Sequence, residues 1–235
     1  GVLCGAEALV RWVRPDGGMF YPNEFIPLFE RNGFCTEFDL YMVERACACL
    51  RAWMDAGIQP VPISVNQSKL LFYQSDYVNK LCALTDQYGV PRTLIVLEIL
   101  EGLAAENLDE LNKTIEQLRA CGFRLSLDDF GSGYSSLTIL ARLSIDEVKL
   151  DRSFLLGMSR QESDGQQKLL RNVVRLSRDL GLRTVVEGIE TAENAALVRA
   201  VGCDVGQGYY YSRPISVADF EAKYFSDKLP PKADL

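Results

Sequence analysis

RLSLDDFGSGYSSL, residues 124–137, decides how the fold is read. Its first part is a short apolar run, the length of a buried strand. The run ends on two neighbouring acids, Asp128 and Asp129, and then breaks at Gly131 and Gly133. Just upstream stands LDELNKTIEQLRACG, with Leu108, Leu111, Ile115 and Leu118 at helical spacing. Gly122 closes that helix and opens the strand. Six further runs have the same form: LCGAEAL (3–9), ISVNQS (63–68), IVLEILE (95–101), EVKLD (147–151), TVVEGIE (184–190) and CDVGQGY (203–209). Glu7, Asn66, Glu98, Lys149, Glu187 and Gln207 stand at or near their C-terminal ends.

Helical patterns are expected at residues 22–32, 37–56, 75–88, 105–121, 135–142, 165–180, 191–201 and 216–225. Thr36, Ser75 and Thr191 are the expected helix starts, and Gly181 and Gly202 act as stops like Gly122. A βα unit therefore recurs, as in parallel strands joined by helices. In a barrel of that kind, side chains at strand C-terminal ends converge on one face, where active sites are built. A closed (β/α)8 barrel has eight strands, whereas seven runs are counted here. The missing strand is expected upstream of Gly1 or from another chain. Residues 16–22 could hide a short strand but read as a turn. Residues 1–225 are expected to form one domain, and 226–235 a polar, proline-containing tail or linker.

Of the 235 residues, 48% are hydrophobic, enough for a sizeable core, and the formal net charge is −7. No basic surface for a nucleic-acid polymer is expected. An anionic ligand would need cations to reverse the local field. No run of about 18 apolar residues exists to cross a membrane, and the chain does not open on a secretory signal. The seven cysteines (Cys4, Cys35, Cys47, Cys49, Cys82, Cys121 and Cys203) form no C-x-x-C pair. They read as reduced thiols of a cytoplasmic protein. With no histidine in the chain, imidazole-based mechanisms are excluded. Acid–base chemistry must come from carboxylates, lysine or metal-activated water.

Successive strand residues face opposite sides. Asp128 and Asp129 can serve one site only where the strand ends and the chain turns, and Gly131 and Gly133 permit such a turn. Near Glu7, Glu98 and Glu187 these acids would repel one another unless divalent cations neutralise them. Oxygen-rich sites of this kind suit Mg²⁺ or Mn²⁺, and Asn66 adds a neutral oxygen. A shared aspartate gives the two-metal arrangement of phosphate-ester cleavage. Each piece alone has a plainer reading. The acid pair could cap a helix, Lys149 could be a salt-bridge partner, Gln207 could bond a turn, and Asn66 could make an Asx-turn. Tyr209, Tyr210 and Tyr211 read as barrel packing rather than as a base-stacking platform.

At these residues the sequence resembles the EAL family of bacterial cyclic di-GMP phosphodiesterases. Its E-A-L-x-R-W signature stands as Glu7-Ala8-Leu9-Val10-Arg11-Trp12, and its V-N-x-S element as Val65-Asn66-Gln67-Ser68. Its D-D-F-G-x-G-Y-S-S-L loop is intact at 128–137. Lys149-Leu150-Asp151, Glu187-Gly188-Ile189-Glu190 and Gln207-Gly208-Tyr209 complete the ordered set. Two positions depart from the pattern: Leu100 replaces a hydroxyl residue, and Val186 replaces an alanine.

The resemblance implies a TIM-like (β/α)8 barrel of the EAL type, whose first, antiparallel strand would precede Gly1. It implies hydrolysis of one phosphodiester of cyclic di-GMP to linear pGpG in a two-metal site holding Mg²⁺ or Mn²⁺. By position, Glu7, Asn66, Glu98, Asp128 and Asp129 resemble the metal ligands. Glu187 and Lys149 resemble the residues that deprotonate and orient the attacking water. Arg11 resembles a phosphate contact and Gln207 lies nearby as a substrate contact. Glu101 resembles the glutamate that orders the 130–137 loop, and Asp151 and Glu190 fall near the site. Homodimers and an upstream sensor or GGDEF-type domain are expected by the same analogy. The alternative is a cyclic di-GMP receptor of low or no activity that signals to attached domains.

Overall fold

In a computed structural model, which describes residues 1–104, 107–133, 137–156 and 163–226, the chain divides into two compact units. The first holds Gly1–Leu97, Cys121–Phe123 and the segment from Ile215 onward; the second holds Glu98–Ala120 and Arg124–Pro214.

The first unit opens with β1 (Ala6–Glu7), β2 (Trp12–Val13) and β3 (Met19–Phe20). β2 and β3 form a two-stranded antiparallel hairpin, so the stretch read as a turn does contain a short strand. The helices α1 (Pro22–Asn32) and α2 (Cys35–Asp55) follow, then β4 (Ile63–Gln67), α3 (Lys69–Phe72) and α4 (Tyr77–Tyr88). β1 pairs in parallel with β4, Glu7 standing opposite Ser64. α2 buries Cys35, Asp39, Val43, Ala46, Cys47, Leu50 and Trp53. That spacing is the stripe of a helix with one face in a core. Its first position is flanked by Phe34 and not by the expected Thr36, which lies inside the helix. α4 likewise starts after Asp76, one residue beyond the expected Ser75.

β5 (Ile95–Leu100) begins in the first unit and ends in the second. It stands beside β4 in the strand order β1-β4-β5 and continues the order β5-β6-β7-β8-β9. The second unit adds α5 (Glu101–Ala104), α6 (Leu108–Ala120), β6 (Arg124–Phe130), α7 (Leu137–Arg142), β7 (Glu147–Leu150), α8 (Ser163–Asp179), β8 (Arg183–Val186), α9 (Ala192–Ala200) and β9 (Val205–Gly206). β6 through β9 pair in parallel, each with the next. α10 (Val217–Phe225) returns to the first unit, where Trp53 stacks on Phe220 at 5.6 Å and donates to Glu221 at 2.9 Å.

The expected α/β order of strands and helices is therefore observed with β2, β3, α3 and α5 added to it, and every run read as a strand contains one. The periodicity read for α6 holds, since Leu111, Ile115 and Leu118 are fully buried. Thr191 caps α9 as expected, accepting from the Asn194 N–H at 3.2 Å. Residues 105–106 and 135–136 of the expected helices lie outside the described residues, as does the expected tail beyond Ser226. No described helix is long and apolar enough to cross a membrane.

Candidate metal and phosphodiester site

Strands β5, β6 and β7 are buried almost end to end. Charged groups in such strands are costly unless paired. Glu98, Asp128 and Lys149 are nevertheless 1%, 7% and 2% exposed. Their pairing is direct. The Lys149 ammonium lies 2.9 Å from Glu98 Oε1, 3.0 Å from Asp128 Oδ1 and 2.7 Å from Glu187 Oε1. The three acids come from β5, from β6 and from the residue after β8, so one lysine ties three strand ends together.

Asp129 joins the cluster through a break in β6. Leu127 stands opposite Val148 and Phe130 opposite Leu150. Three steps on β6 thus match two on β7, which is a bulge. Asp129 takes φ 57°, and it is the one non-glycine residue with positive φ among the described residues. Aspartate tolerates this left-handed conformation better than most side chains. The turn swings the second acid to the side of the first, and the Asp129 N–H donates to Asp128 Oδ1 at 2.9 Å. Asp128, Asp129 and Glu187 can each present one oxygen within 4.8 Å of the others. Three carboxylates on one ammonium, with Asp129 beside two of them, leave excess negative charge in the site. That donor set fits a hard divalent cation such as Mg²⁺ or Mn²⁺.

Gly131, the next residue but one, has φ 102°, and a Cβ there would sit 2.1 Å from Phe154 Cε2. Its N–H points to Glu101 Oε2 at 3.4 Å, while Ser153 Oγ donates to its carbonyl at 3.2 Å. Tyr134, Ser135 and Ser136 of the same loop lie outside the described residues. Gln207 extends β9, its N–H bonded to the Val186 carbonyl at 2.9 Å. Asp151 accepts from the Ser153 N–H at 2.9 Å and so starts a short 3-10 turn, Arg152–Leu155. Glu190 is exposed and leads into α9.

In the first unit, Glu7 ends β1 and Asn66 lies near the end of β4, and Asn66 Nδ2 donates to Glu7 Oε1 at 3.4 Å. Arg11 donates to the Val10 carbonyl at 2.6 Å and holds its guanidinium 5.7 Å from the Tyr21 ring centroid. Asp39 of α2 is a buried polar group that the motifs do not mark. The Ser68 N–H donates to Asp39 Oδ2 at 2.7 Å. Burial pushes the Asp39 carboxyl up to about 6, against the hydrogen bonds from Ser68, which pull it down. The sequence did carry a signal for it: Asp39 falls at helical spacing between Cys35 and Val43 on an otherwise apolar stripe.

Three consecutive tyrosines depart from the expected barrel packing. Tyr209, Tyr210 and Tyr211 are 52%, 48% and 43% exposed, so they are not barrel packing. Arg213 lies over the Tyr209 ring at 4.6 Å.

The family model described as "EAL domain" matches residues 1–214. The cyclic di-GMP phosphodiesterase NbdA of Pseudomonas aeruginosa is 35% identical over 232 residues, 97% of this chain and 29% of the relative. The bifunctional diguanylate cyclase/cyclic di-GMP phosphodiesterase MucR of the same organism is 34% identical over 215 residues, 92% of this chain and 31% of the relative. The chain thus spans less than a third of the length of either relative. Among solved structures, the PaMucR phosphodiesterase in complex with c-di-GMP aligns with a TM-score of 0.86 at 33% identity, covering 94% of this chain and 88% of that one.

Proposed function

The chain belongs to the EAL domain family, and from that premise we propose that residues 1–225 hydrolyse one phosphodiester bond of cyclic di-GMP to linear pGpG. The observation that carries the reading is the Lys149 ammonium within 3.0 Å of Glu98, Asp128 and Glu187. A buried lysine held by three acids beside a fourth, Asp129, is a costly arrangement for a purely structural strand. It suits a site that receives cations and a phosphate.

Glu98, Asp128 and Asp129 would hold Mg²⁺ or Mn²⁺, and the family pattern assigns Glu7 and Asn66 to the same ligand set. Divalent cations held there would lower the pKa of water and offset the phosphate charge. Glu187 takes a proton from the attacking water as its oxygen bonds phosphorus. Lys149 orients that water and donates to the negative charge that builds on the phosphoryl oxygens. The bond from phosphorus to the 3′-oxygen breaks, and that oxygen takes up a proton. Arg11 and Gln207 contact the substrate. Glu101 holds the loop at Gly131.

The length of the relatives supports attachment to an upstream sensor or GGDEF-type domain. Pairing into homodimers and a cytoplasmic setting are part of the same reading. The test is incubation with cyclic di-GMP and Mg²⁺ or Mn²⁺, with products separated by chromatography. Appearance of pGpG that stops on adding EDTA is expected. Tight binding of cyclic di-GMP with no product under either metal would overturn the hydrolase in favour of a receptor.

A further inference from the structure

Asn66 and Gln67 close β4 facing opposite ways. Asn66 is exposed and reaches Glu7. Gln67 is 4% exposed, on the face that buries Ile63 and Val65. A carboxamide on that face is costly unless its polar atoms are bonded. Both ends are. Its Oε1 accepts from the Tyr77 hydroxyl at 2.8 Å, and its Nε2 donates to the Asn66 carbonyl at 2.7 Å. Tyr77 is wholly buried and packs edge-on against Phe72 at 5.3 Å, which fixes the aim of its hydroxyl. The side chain of Gln67 therefore folds back onto its neighbour's peptide group. Fixing that peptide plane fixes ψ of Asn66, and with it the direction in which the Asn66 carboxamide leaves the strand. On the other side of Gln67, Asp39 holds the next N–H, that of Ser68.

We infer that Gln67, braced by Tyr77, is a positioning residue that aims Asn66. The V-N-x-S element leaves this position open, so the device belongs to this chain's own residues. The inference rests on the reading of Asn66 as a metal ligand. It treats Gln67 as an outer partner of the kind that orients ligands and commonly alters metal affinity about tenfold or more when lost.

The test is a double-mutant cycle read by Mn²⁺ binding, with free Mn²⁺ counted by electron paramagnetic resonance. Gln67→Leu and Tyr77→Phe are made singly and again with Asn66→Ala, and folding is followed by thermal unfolding in EDTA. Gln67→Leu is expected to weaken Mn²⁺ binding about tenfold and Tyr77→Phe about threefold. Neither should weaken it further once Asn66 is alanine. Tyr77→Phe keeps the ring packing and decides the matter if Gln67→Leu does not fold. Parent-like Mn²⁺ affinity in a folded single variant overturns the inference. So does an equal loss in the Asn66→Ala background, which marks a structural effect that bypasses Asn66. A parent chain that binds no Mn²⁺ defeats the metal reading itself, and is seen before any substitution is made.

Discussion

The Lys149 ammonium sits 2.7 Å from Glu187 Oε1, and the same nitrogen holds Glu98 and Asp128. Replacing Lys149 by Met keeps the length of the side chain but leaves these carboxylates without their cation. Turnover of cyclic di-GMP should fall by about 100-fold or more, as when a donor to developing charge is lost. In EDTA the variant should also lose about 3 kcal/mol in urea unfolding. Added Mg²⁺ should restore part of that stability but not the rate. Full activity in the Met variant would remove Lys149 from the chemistry.

Metal should stabilise the folded chain, because the acids of the site gather only there. At one hundred times its dissociation constant a ligand adds about 2.7 kcal/mol. Thermal unfolding with and without Mn²⁺ measures this. Asp128→Asn should abolish both the shift and turnover, and Glu7→Ala should abolish turnover. A thermal shift undiminished in Asp128→Asn would refute the ligand assignment.

Asp39 provides a pH signature of its own. Burial raises its carboxyl from 3.8 to about 6. Between those values the folded chain holds a proton that the unfolded chain has released. Stability from this group is therefore lost as pH rises through the window, and is level above it, by about 3 kcal/mol in all. Asp39→Asn keeps an oxygen for the Ser68 N–H and removes the titration. Its advantage over the parent in urea unfolding should grow from near zero at about pH 4 to about 3 kcal/mol at pH 7. Parallel pH profiles for the two proteins would rule out a buried, titrating Asp39.

Gly208 is a backbone requirement. It has φ 152°, and a Cβ would lie 2.2 Å from the carbonyl oxygen of Ile189 and 2.3 Å from its nitrogen. Neither atom can move without shifting the segment between Glu187 and Gln207. Gly208→Ala should cost about 3 kcal/mol or more, whereas Gly5→Ala, which meets only Pro62 O at 3.5 Å, should stay within about 0.5 kcal/mol. Equal stability of the two variants would contradict the close approach at Gly208.

The α6 and β6 stretches show how much of the fold was legible in advance. Leu111, Ile115 and Leu118 repeat at the pitch of a helix, and Gly122 follows with φ 100°. Period and punctuation are local properties, so reading them needs no knowledge of neighbours. The β2–β3 hairpin escaped because two-residue strands carry no period to read. The start of α2 differs from the expected one because its first turn opens after Phe34 without a polar cap. The exposure of Tyr209, Tyr210 and Tyr211 is not legible in the sequence, because aromatic residues in a row are as compatible with a surface as with a core.

From the sequence alone came the order of strands and helices, the acids at strand ends and the family they resemble, since these depend on spacing along one chain. Tertiary structure decided which of those groups touch. Asp129 turns left-handed only because three residues of β6 must match two of β7. Lys149 meets Glu98, Asp128 and Glu187 only because β5, β6, β7 and β8 follow one another in the strand order. Gln67 reaches back to the Asn66 carbonyl only because Tyr77 of α4 occupies the other end of its amide. Each contact joins residues through the pairing and packing of separate elements, and no local pattern encodes that registry.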